Sequence, residues 1–281
     1  MQTISLNDLL SRVPALSTEQ PHPDVSDKYV FIKSADVVDN IMNLGWEPVT
    51  GLSKKNRNAV RKTYGKHGVT FRNPALTFNV NSNDSIISEL VFINSHDRTN
   101  TFRFYASVYR TSTNTSAIIP ANVLSTVENT YLSIRHIHYN IEQLESTVKD
   151  LIQVLSNNVN IIKTLANSQI SDAGEREFIM KAMLRRSLVN PEDFGQYMNS
   201  FPDQTIEVIQ IPELEQEIGT TAWDVFMRTH RKMEEGFIAF DPIRKRVAKF
   251  KPINNFERRI DLSANMYSDF MDTLKKENIT I

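Results

Sequence analysis

No cysteine occurs among the 281 residues, which excludes disulfides, thiolate metal sites and cysteine nucleophiles and suits a reducing compartment. Glycine is scarce, eight in all, and these do not assemble into a glycine-rich phosphate loop. Gly65-Lys66-His67-Gly68 ends like one but lacks the upstream glycine and the Ser/Thr after the lysine. NTPase chemistry is therefore not expected, and no cofactor is implied. Apolar runs fall short of the ~18 residues of a membrane span, and the opening MQTISLNDLLSRVPALSTEQPHPD has no basic segment followed by an apolar one. These absences predict a soluble, cytoplasmic protein with no membrane partner, and 40% hydrophobic content suffices for a core.

The charge is near balance but unevenly placed. A net −1 hides blocks of −4 over residues 1–47, +7 over 48–135, −8 over 136–227, +6 over 228–259 and −2 thereafter. Neutrality therefore does not argue against a polyanionic partner; the blocks predict one basic and one acidic surface.

Residues 1–27 hold three prolines and read as a short helix, Leu6 to Val13, within a mobile leader that takes no part in the core. Residues 28–275 read as a single α+β domain with a sub-boundary near 170–175. Tyr29-Val30-Phe31-Ile32 is expected as a strand, Ser34 as an N-cap, and Ala35 to Leu44 as a helix closed by Gly45. Ile86–Ile93 and Thr101–Arg110 read as a β-hairpin joined by a polar loop. From Pro120 a seven-residue apolar repeat (Val127, Ile134, Ile141, Val148, Leu155, Ile162 and, at the second position, Val123, Ile137, Leu144, Leu151, Leu165) predicts one helix over about 120–168. That helix would lie on the antiparallel sheet or pair with a second copy, with Asn158 setting register. Further helices follow toward the C-terminus, around Glu175–Val189, Trp223–Met233 and Leu262–Lys275.

The candidate sites are basic. Between Pro48 and Asn83 no acidic residue occurs, while Lys54, Lys55, Arg57, Arg61, Lys62, Lys66 and Arg72 fall within nineteen positions. Strand alternation puts Phe102, Phe104, Ala106 and Val108 on one face and Arg103, Tyr105, Ser107 and Tyr109 on the other. Cations that track phosphates beside rings that stack on bases are how single strands are held without sequence preference. Arg110, Arg135 and the run Arg244-Lys245-Arg246-Val247-Ala248-Lys249-Phe250-Lys251 extend the set. Ser95-His96-Asp97 cannot form a triad, because neighbours in a turn do not line up as nucleophile, base and orienter. A metal site from His96, Asp97, His136 and His138 is disfavoured by the i, i+2 spacing of the last two on a helix, and no metal is assigned.

The ordered motifs Leu44-Gly45-Trp46-Glu47-Pro48-Val49, Lys66-His67-Gly68-Val69-Thr70-Phe71-Arg72, Leu90-Val91-Phe92-Ile93-Asn94-Ser95-His96-Asp97, Arg110, Ile134-Arg135-His136-Ile137-His138 and Trp223-Asp224-Val225-Phe226 through Gly236 to Arg244-Lys245 resemble the phage and plasmid family known as domain of unknown function 932. The resemblance implies a mobile-element gene expressed in a bacterial host cell, and marks Asn94, Ser95, His96 and Asp97 as a motif loop. This chain departs where the family usually has Gly after the Asp (Arg98 here), Asn-Gly-Leu near Thr113-Asn114-Thr115, and Gln-Glu-Asn at His230-Arg231-Lys232. The expected function is non-enzymatic binding or annealing of single-stranded nucleic acid in replication or recombination, by a homo-oligomer. The alternatives are a regulatory or anti-defence protein that binds a host protein through its acidic block, and a metal-dependent enzyme around His96, Asp97 and His136.

Overall fold

The structure, a computed structural model, describes residues 3–53, 58–81, 84–118, 132–134, 141–187, 192, 208–209, 219–241 and 246–279. The chain is α+β and divides into two compact units, Met1–Asn158 and Val159–Ile281. Among the described residues no helix is long and apolar enough to cross a membrane.

The first unit is built on an antiparallel sheet in the order β1 (Glu47–Ser53), β2 (His67–Asn81), β3 (Asp84–Asn94), β4 (Phe102–Arg110), β5 (Thr115–Ile118), with β6 (Leu132–Ile134) also paired to β4. The expected hairpin is β3–β4, with Phe92 opposite Phe104 and Glu89 opposite Ser107. β3 is buried along almost its whole length, so its apolar run covers both faces, as a central strand requires. Phe92, Phe102 and Phe104 form the ring cluster of the core, at centroid separations of 5.1–5.8 Å. The β2–β3 register shifts between Arg72 and Thr77; Pro74 lies there without an N–H to give the ladder, and Asn73 Oδ1 takes the Ala75 N–H at 3.0 Å instead.

Three expectations are corrected in this unit. Residues 1–27 do take part in the core: α1 (Leu6–Arg12) and a 3-10 turn at Pro14–Ser17 bury Leu9, Val13 and Leu16, and the Ile4 N–H donates to the Pro48 carbonyl at 2.8 Å. Tyr29–Ile32 is not a strand; its side chains, not ladder bonds, tie it down. The helix expected from about 120 to 168 is interrupted by β6, and among the described residues it runs as α4 (Ile141–Asn167). β5 covers only Ser107–Arg110 of β4, so the edge groups at Phe102–Phe104 need another partner, and β6 supplies it. Residues 119–131 and 135–140 lie outside the described residues. Leu144, Val148, Leu151, Leu155, Ile162 and Leu165 of the apolar stripe are buried within one copy of the chain.

α2 (Ser34–Asn43) and α3 (Ala59–Tyr64) complete the first unit. Gly45, at φ +86°, ends α2 in the left-handed region that glycine enters without strain. The unit boundary falls inside α4, upstream of the break the sequence marks at Ser171–Gly174.

In the second unit α5 (Asp172–Arg185), α6 (Ala222–Glu235) and α7 (Phe256–Lys276) pack around Phe178, Trp223, Phe226, Tyr267 and Phe270, with Phe178 and Phe270 centroids 4.6 Å apart. Ser171 and Thr221 cap α5 and α6 through their hydroxyls. β7 (Val208–Ile209), β8 (Phe237–Asp241) and β9 (Arg246–Phe250) form a small antiparallel sheet, and β9 leads into α7.

Candidate functional site

The motif loop lies at the C-terminal end of β3 and is tied inward. Ser34 Oγ is 2.7 Å from His67 Nε2, and His67 Nδ1 is 2.9 Å from the Gly65 carbonyl. A carbonyl only accepts, so His67 carries its proton on Nδ1 and the Ser34 hydroxyl donates to Nε2. The same oxygen accepts from Asn94 Nδ2 at 3.0 Å. By the same logic His96 Nε2 donates to the Ala15 carbonyl at 3.0 Å. Burial holds the His67 pKa down at about 4, against the pull of the Gly65 carbonyl and Asp97. The Tyr29 hydroxyl donates to the Ser95 carbonyl at 3.0 Å, and burial, then Asp97, pushes its pKa up to about 12.

A serine, a histidine and an orienting carbonyl in line can activate a nucleophile. Ser34, His67, Asn94 and His96 are all buried to within 1% of complete, however, so this hydroxyl meets no substrate in the observed conformation. The cluster is a polar clamp joining the N-terminal segment, α2, β2 and β3. Asp97 holds the turn locally, accepting from the Thr99 N–H at 3.0 Å. Ser34 escaped the sequence reading because a serine before a helix looks like a cap; its hydroxyl is drawn into the clamp, and α2 has no side-chain cap. Among the described residues no three His, Cys, Asp or Glu side chains converge as metal ligands, and His136 and His138 lie outside the described residues.

The basic and aromatic face of β4 turns out to surround a buried acid. Glu89 is fully buried and accepts from Arg72 Nε at 2.7 Å, Ser107 Oγ at 3.0 Å and Ser116 Oγ at 3.1 Å. The Arg72 guanidinium also lies 3.3 Å over the Tyr109 ring. Arg110 is buried against Asp84 at 2.6 Å, and Tyr105 is buried. Arg72, Tyr105 and Arg110 are thus spent on the core. Arg103 is half-buried, its Nε donating to Thr101 Oγ1 at 2.7 Å. Arg61 and Lys62 are exposed on α3 and Lys66 is half-buried. Lys54, Lys55, Arg57, Arg135, Arg244 and Lys245 lie outside the described residues, and Arg246 is placed only as part of β9.

In the second unit a cleft of about 360 Å³ opens where β9 passes into α7, lined by Lys249–Asn255 together with Arg186 and Arg258. Among the described residues, four cationic side chains and no carboxylate line it. Two arginine doublets are each divided by the fold. Arg185 pairs with Asp269 at 2.8 Å, which raises its pKa, and Arg259 pairs with Glu234. Their neighbours Arg186 and Arg258 have no carboxylate partner among the described residues and face the cleft. Arg186 Nη2 donates to the Lys251 carbonyl at 2.7 Å, while its Nε is buried with no hydrogen-bond partner among them. Burial and then the Arg258 charge lower the Arg186 pKa, the mark of a cation held beside another without an acid between. Phe250, half-buried against Phe237 at a centroid distance of 4.9 Å, forms part of the wall. Lys249 and Lys251 belong to the basic run read from the sequence. Arg186 and Arg258 were missed, since nothing in a doublet tells which member will be paired.

Comparison with known proteins agrees with the motif order. Residues 21–253 match the family described as Domain of unknown function (DUF932). UPF0380 protein YfjQ and UPF0380 protein YafZ, both of Escherichia coli (strain K12), are each 22% identical over 107 residues, 38% of this chain and 37% of theirs. The match thus spans little more than a third of the length of these curated relatives. No solved structure matches.

Proposed function

This chain belongs to the family described as Domain of unknown function (DUF932), whose title assigns no activity, and we propose from its own geometry that it binds single-stranded nucleic acid. The observation that carries the reading is the cleft lined by Arg186, Lys249, Lys251 and Arg258, with no carboxylate among the described residues that line it. Cations in such numbers repel one another at a cost to the fold, and a polyanion relieves it. Phosphate neutralisation drives binding of this kind by release of counterions, and a half-exposed ring such as Phe250 offers a face on which a base can stack.

The setting we propose is the cytoplasm of a bacterial cell carrying a phage or plasmid, with a role in replication or recombination. Annealing would require two strands at once, and hence two copies of the cleft in one assembly.

The test is a titration of a labelled single-stranded oligonucleotide at several salt concentrations. The four cations can neutralise at most four phosphates, which bounds the log–log salt slope on a single strand at about −3. Replacing both Arg186 and Arg258 by alanine should reduce that slope by roughly one half. Absence of binding at ~50 mM salt, where counterion release favours it most, would sink the reading.

A further inference from the structure

The shape of the cleft says more about its ligand than its charge alone. Seven of the nine lining residues are one continuous stretch, Lys249–Asn255, closed by Arg186 and Arg258. That connection forms most of a cup and carries Lys249 and Lys251, while Arg186 at the end of α5 and Arg258 in the first turn of α7 close it, so all four cations border one cleft.

One internal phosphodiester carries a single charge, which four cations exceed. A phosphate monoester carries ≈ −1.5 to −2 at neutral pH and three acceptor oxygens. The donors to meet them are in place. Arg186 is held by the Lys251 carbonyl at 2.7 Å, leaving the rest of its fork for an anion. Arg258 stands on the first turn of α7, where Asn255 Oδ1 takes its backbone N–H at 3.2 Å. The positive end of a 21-residue helix adds to the same field. Pro252 and Ile253 supply an apolar wall for the sugar or base that follows.

Resting on the reading above, we infer that this cup is an end-binding site, which takes the phosphate monoester at the terminus of a nucleic-acid strand between Arg186 and Arg258. The same chemistry is carried by a mononucleotide and by inorganic phosphate, so the experiment must separate the three.

The full chain is titrated with one oligonucleotide in three forms, 5′-phosphorylated, 3′-phosphorylated and unphosphorylated, with the label at the opposite end or internal. A terminal phosphate at one of the two ends should tighten binding by roughly tenfold, the value of one added charge-assisted contact. Arg186→Gln and Arg258→Gln should each abolish that preference. Lys249→Gln with Lys251→Gln, both at exposed positions, provides a second variant with no packing to lose, and should weaken the preference. Equal affinity for all three forms overturns the end-binding site while leaving nucleic-acid binding intact. Failure of every form to bind removes the broader reading as well. A mononucleotide or inorganic phosphate that competes as well as the phosphorylated strand end overturns the strand as the ligand.

Discussion

Single atoms decide much of this molecule. The Ser34 oxygen gives a hydrogen bond to His67 and receives one from Asn94, all in the dry interior. Ser34→Ala would strand two buried polar groups at once, and is expected to cost about 1–3 kcal/mol, read as a lower urea midpoint at unchanged slope. Arg98 sits at φ +62° on the exposed side of the motif loop, where the family resemblance leads one to expect glycine. A side chain in the left-handed region costs ~1–2 kcal/mol, part of which glycine returns through its freer unfolded chain. Arg98→Gly should therefore stabilise the protein by about 0.5–1 kcal/mol, measurable as a raised thermal midpoint. A fall in that midpoint would show that the Arg98 side chain makes a contact worth more than the strain.

Elements were legible in the sequence to the degree that a local pattern fixed them. The β3–β4 hairpin could be read because an apolar run, a polar loop and strict alternation all agree. α2 could be read from its spacing and Gly45. The 120–168 helix misled because a seven-residue repeat records apolar spacing and not the unpaired edge of β4, which recruits Leu132–Ile134 from the middle of the repeat. The charge on β4 misled for a similar reason: Glu89 is one acid within a basic stretch, yet register places it opposite both Arg72 and Ser107. That cluster gives a test at this scale. Glu89→Ala leaves Arg72 without its partner and is expected to destabilise by about 3–5 kcal/mol, whereas Glu89→Gln, which keeps an acceptor, should cost distinctly less. Equal losses on chemical denaturation would mean that the carboxylate charge alone, and not the shape or the retained acceptor, holds the cluster together.

At the scale of the whole molecule, each unit contains a buried neutral histidine. His67 in the first and His230 in the second are both held near pKa 4, chiefly by burial. His230 lies 3.9 Å from the Glu234 carboxylate, but that acid is taken by Arg259, whose charge lowers the His230 pKa further. Unfolded, each histidine would bind a proton near pH 6.5, so between 6.5 and 4 the unfolded chain holds more protons than the folded one. Stability is then complete above about pH 6.5 and declines as pH falls toward 4, by about 2 kcal/mol per histidine at pH 5. Urea midpoints at pH 7.5 and 5 should show this loss, and His67→Gln and His230→Gln should each remove part of the pH dependence. The charge blocks acquire a meaning at this scale too: what matters is which cations the fold leaves without acids, and among the described residues Arg186 and Arg258 are two of these, at the cup before α7.

The packing of the N-terminal segment also governs the order of assembly. Thr18 Oγ1 donates to the Thr63 carbonyl across 45 residues, and the Ala15 carbonyl accepts from His96 across 81. During synthesis these residues emerge well before the strands they close upon, so α1 and the turn after it must wait for β2 and β3. Their apolar side chains are exposed meanwhile, and the first unit seals only when its earliest-made segment docks last. A bulky tag fused ahead of Leu9 would act at that late step, slowing closure while leaving the sheet itself able to form.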